Sequence, residues 1–66
     1  MSDRPEIKIG QLWRRKRDEK VVWVSALRRY GTQLDVEWRA VEGKGKGQIY
    51  EFNLRKNYDL IEEAEG

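Results

Sequence analysis

Sixty-six residues make one domain, and so short a chain buries only about 60% of its unfolded surface. It holds no cysteine and no histidine. That removes disulfides, thiolate metal sites, the commonest transition-metal ligand and the commonest general base. Net charge is +2, but three of the twelve acids, Glu62, Glu63 and Glu65, lie in the last five residues, so residues 1–61 hold 14 basic against 9 acidic side chains.

The polar stretch from Met1 to Glu6 contains Pro5 and reads as a flexible arm. Ile7 to Trp13 reads as a first strand, with Gly10 marking a bulge or a close approach. Arg14 to Lys20 is a polar loop. Val21 to Leu27 is a second strand, rich in β-branched residues. Arg28 to Thr32 turns the chain at Gly31. The third strand, Gln33 to about Val41, alternates apolar and polar residues with period 2, the mark of a half-buried strand. Glu42 to Gly47 is a glycine–lysine loop. Gln48 to Phe52 reads as a fourth strand, Asn53 to Asn57 as a single 3₁₀ turn, and Tyr58 to Ile61 as a fifth strand before an acidic tail, residues 62–66. Tyr50, Leu54 and Tyr58 are also spaced for a helix, but the asparagines favour strand plus turn.

Alternation sorts the side chains. Leu34, Val36, Trp38 and Ala40 share one strand face; Val22, Val24 and Ala26 share another, with Val21, Trp23, Ser25 and Leu27 opposite. Ile7 and Ile9 are in phase. Leu54, Leu60 and some of Tyr50, Phe52 and Tyr58 complete the expected core.

Five short strands with one helical turn before the last predict an all-β fold, a small SH3-like five-stranded antiparallel barrel. The segments Ile9-Gly10-Gln11-Leu12-Trp13, the basic loop, the two Val/Trp strands and the closing Leu54 with Tyr58-Asp59-Leu60-Ile61 resemble KOW- and Tudor-type SH3-like barrels. They resemble still more closely small barrel proteins of actinobacteria and their phages, which share a Gly-Gln-aliphatic-Trp opening. The resemblance covers residues 7–61. It implies that Trp13 lines a groove between loops, and it implies no catalytic residue.

Four consecutive cations, Arg14, Arg15, Lys16 and Arg17, repel one another, and stability does not call for them; they suit phosphate contacts that release counterions. With Arg28, Arg29 and the aromatics Trp13, Trp23 and Tyr30 they predict a stacking-plus-phosphate surface, the two basic segments approaching one face. The Gly43–Gly47 loop lacks the spacing of a phosphate-binding loop and has no helix after it. Asp35 and Glu37 lie about 7 Å apart on one strand face, expected exposed and without a cleft. The expectation is therefore a non-enzymatic binding module without metal or cofactor, cytoplasmic and free of the membrane, since no apolar run approaches ~20 residues. Its favoured partner is nucleic acid, bound with low specificity. The alternatives are a protein-binding adaptor, including a phage-encoded modulator of a host protein, and an accessory subunit that adds a strand to a partner's sheet.

Overall fold

The computed structural model describes residues 6–63. Most of the proposed arm (residues 1–5) and the end of the acidic tail (residues 64–66) lie outside that range. The strands are β1 (Leu12–Arg15), β2 (Val21–Tyr30), β3 (Gln33–Ala40), β4 (Lys46–Tyr50) and β5 (Tyr58–Glu62). They form one antiparallel sheet in the order β4-β3-β2-β1-β5. The helix α1 (Glu51–Asn57) joins the two edge strands and packs against β3, β4 and β5. No ladder joins β4 to β5, so the sheet is open along that seam and does not close as the expected barrel. No helix among the described residues is long and apolar enough to cross a membrane.

Register explains which residues face the core. Trp13 lies opposite Val22 and Leu60, Val24 opposite Trp38, and Val36 opposite both Leu27 and Ile49. These residues, with Ile7, Leu54 and Tyr58, make up most of the core and its immediate packing; Val24 and Val36 are fully buried. A bulge separates the pairs Val24–Trp38 and Ala26–Glu37, leaving Ser25 over; its hydroxyl donates to the Glu37 carbonyl at 3.2 Å. Beyond the bulge the alternation inverts. Leu27, expected opposite the core, therefore packs against it.

Two further expectations change. The first strand begins at Leu12, because Gly10 adopts φ +98° in a turn whose amide donates to the Val24 carbonyl. Ile7 is buried, while Ile9 is thrown out to solvent. The fourth strand ends at Tyr50, and Glu51–Asn57 is two turns of α-helix, so the i, i+4, i+8 spacing prevails over the strand-plus-3₁₀ reading. Three things hold this short helix. Leu54 is buried, Glu51 pairs with Arg55 at 2.9 Å, and the acid sits in the first turn with Arg55 and Lys56 in the last, opposite in sign to the helix dipole. Tyr50 and Phe52 are exposed, so of the three aromatics only Tyr58 joins the core.

Candidate nucleic-acid interface

The run Arg14–Arg17 does not form one loop. Arg14 and Arg15 belong to β1, and the turn is tightened by Asp18. The Asp18 carboxylate accepts both Nε and Nη2 of Arg15, at 2.9 and 2.6 Å, and the Lys20 amide at 3.2 Å. The fork from Arg15, then the Lys20 amide, holds the Asp18 carboxyl well below the usual carboxylate range. The turn closes with Glu19 at φ +62°, its amide donating to the Arg15 carbonyl. Lys16 lies 3.9 Å from Asp59 and its amide donates to the Asn57 carbonyl. Arg14 and Arg17 are exposed and form no ion pair among the described residues.

The structure splits the expected site. β2 is ten residues long, and the Arg14–Arg17 segment and the Arg28–Tyr30 segment lie at its opposite ends. Arg28 stands level with Asp35, and its hydrogen bonding to Tyr30, with the charge of Glu37, raises its pKa. Arg29 and Tyr30 are exposed beside the two-residue turn at Gly31 and Thr32, where Gly31 takes φ +61° as a tight hairpin requires. Trp13 lines the cleft beside Phe52 and Tyr58, but it is 3% exposed, so it presents little open ring face to a ligand. Asp35 is buried, not exposed as expected, and Glu37 is half-buried and accepts from Gln48 at 3.1 Å.

Trp23 is half-buried on the outer face, as the alternation predicts. Around it the register assembles a row that runs across four strands. Leu12 of β1 pairs with Trp23 of β2, Trp23 with Arg39 of β3, and Arg39 with Lys46 of β4. At about 4.8 Å between strands, the row spans roughly 14 Å. Arg39 and Lys46 are exposed and free of ion pairs among the described residues. Lys20 and Lys44, from the two adjoining loops, line a neighbouring groove with Leu12 and Trp38, and Arg17 lies with Ile49 and Asn57, so the register places only Arg39 and, beyond it, Lys46 beside Trp23. Arg39 and Lys46 escaped the sequence reading because only the pairing of β3 with β2 and β4 brings them to Trp23. The period alone shows that Arg39 faces away from Trp38, not what it faces.

No protein-family model matches the chain, and no curated protein or solved structure matches it.

Proposed function

We propose that the chain is a non-enzymatic, cytoplasmic binding module of the SH3-like barrel type that binds nucleic acid with little sequence specificity. The strand order β4-β3-β2-β1-β5, with a short helix before the last strand, supports the fold assignment. The observation that carries the functional reading is the row Trp23–Arg39–Lys46: one aromatic and two cations free of ion pairs among the described residues, in successive register across three strands. Such a row offers a base a stacking surface and its flanking phosphates two charges, and neither contact reads sequence.

Fluorescence polarisation against mixed-sequence oligonucleotides tests the reading. Affinity should fall steeply with salt and vary little with sequence. A flat low-salt titration up to high micromolar protein refutes it, because nonspecific binders reach about 10⁻⁴–10⁻⁶ M even at physiological salt.

One observation favours a second reading, a protein-binding adaptor. Phe52 is 73% exposed on α1 and lines a shallow cleft of about 400 Å³ with Leu60 and Tyr58. An exposed aromatic over a cleft of Trp13, Tyr58 and Leu60, rimmed by Arg55, Lys56 and Asp59, has the make-up of a protein-interface anchor. Capture of a discrete protein that Phe52→Ala abolishes, with no oligonucleotide binding, would select it.

A further inference from the structure

A groove of about 770 Å³ lies where the β1–β2 turn meets the loop between β3 and β4. Leu12, Trp38, Ala40 and Ile61 line it with apolar surface, and Lys20 and Lys44 line it with charge. Arg15 also reaches it, but its guanidinium is held by Asp18, and Glu19 and Glu42 also line the groove, so its free cations are the two exposed lysines. The volume falls within the ~300–1,000 Å³ of small-ligand sites.

The glycine–lysine alternation acquires a reason here. A Cβ on Gly47 would come within 2.7 Å of Trp38 Cζ2. One on Gly45 would meet the Ala40 Cβ at 3.4 Å and Trp38 Cζ3 at 4.0 Å. The positions without side chains are those against the indole and its neighbouring wall. The lysines between them diverge: Lys44 lines the groove, and Lys46 joins the outer row. Leu12 lines the groove and pairs with Trp23, but Trp23 and Trp38 point to opposite faces of the sheet, so the groove is a site distinct from the outer row.

We propose that this groove receives one unpaired base of a single-stranded nucleic acid, packed against Trp38, with the adjoining phosphates on Lys20 and Lys44. The inference rests on the nucleic-acid reading and narrows it, because a base inside a duplex is paired and stacked and cannot enter without being extruded.

The test follows the assigned indole N–H signals of Trp13, Trp23 and Trp38 in the intact chain by NMR. The probes are an oligothymidylate of about ten nucleotides and a duplex of about the same length. The Trp38 signal should move with the single strand and stay in place with the duplex, and the single strand should bind roughly tenfold more tightly at equal salt. Gly45→Val, which fills the groove beside Ala40, should abolish that preference. The double variant Lys20→Gln, Lys44→Gln, at exposed positions where folding is not at stake, should do the same. Equal binding of the two probes, or single-strand binding that leaves Trp38 unmoved, overturns the inference alone. Binding of neither probe overturns the nucleic-acid reading as well.

Discussion

The Gln11 side-chain carbonyl accepts the Trp13 indole N–H at 3.2 Å, binding two core residues two positions apart in sequence. The same oxygen accepts the Lys8 amide at 2.9 Å. The amide nitrogen donates to the Glu6 carbonyl at 2.7 Å and to a Glu63 carboxylate oxygen at 2.9 Å. Gln11 is fully buried, and all four of its hydrogen-bonding positions are filled. The Gly-Gln-aliphatic-Trp opening is thus a structural unit: Gly10 makes the turn, Gln11 ties the segment together, and Trp13 fills the core.

Gln11→Leu keeps the volume but strips partners from the Lys8 amide, the Trp13 indole and the Glu6 carbonyl. The expected cost is about 2–4 kcal/mol in urea denaturation, a large share of the total for so small a domain. Gln11→Glu places a carboxylate against that of Glu63. The folded-state pKa of the introduced group is then raised, so the lost stability should return in part as pH falls below about 5. A variant whose midpoint is as low at acid pH as at neutral pH would contradict this.

Acid should also loosen the β1–β2 turn. The Asp18 pKa is depressed by the Arg15 fork, so its contribution is present at neutral pH and is lost as pH falls below about 4 toward the folded-state value. Asp18→Asn should lower stability at pH 7 and flatten the acid limb of the stability curve. Parallel acid limbs in the two proteins would show that the pair contributes nothing.

The glycines of the β3–β4 loop should differ. Gly47→Ala drives a methyl into the Trp38 ring and is expected to cost roughly 1–3 kcal/mol. Gly45→Ala meets only near-normal contacts and should cost less than about 1 kcal/mol. Thermal denaturation of the two variants checks the order.

Charge reversal at the two ends of β2 should separate the candidate surface from ordinary solvated charge. Arg39→Glu, beside Trp23, should weaken oligonucleotide binding about tenfold or more. Arg29→Glu, at the far end, makes the same change in net charge and should have a much smaller effect. Equal losses would mean that net charge alone drives binding.

Period and turn chemistry carried the sequence reading a long way. The alternation from Gln33 predicts β3 nearly to the residue, because its inner face is buried and its outer face polar. The helix was harder to read, since Leu54, Tyr50 and Tyr58 fit both a helix and a strand-plus-turn, and the Glu51–Arg55 pair helps decide it. The inversion at Ser25 could not be read, because an unpaired residue in one strand is visible only against its partner. The same holds for Trp13. Its place beside a basic run suggested a surface role, whereas the Gln11 network and the pairing with Val22 and Leu60 bury it. The two basic segments are expected to approach one face, but they lie at opposite ends of a ten-residue strand.

The Gln11 amide has a topological consequence. One nitrogen holds an oxygen of Glu6 and an oxygen of Glu63, so the first and last described residues come within two hydrogen-bond lengths of each other. A short peptide can therefore join them without crossing the sheet. New ends opened between Gly31 and Thr32, in an exposed two-residue hairpin, would break no strand ladder. Such a circular permutant retains every strand pairing but converts the Gln11–Glu63 hydrogen bond, which spans 52 positions, into a local one.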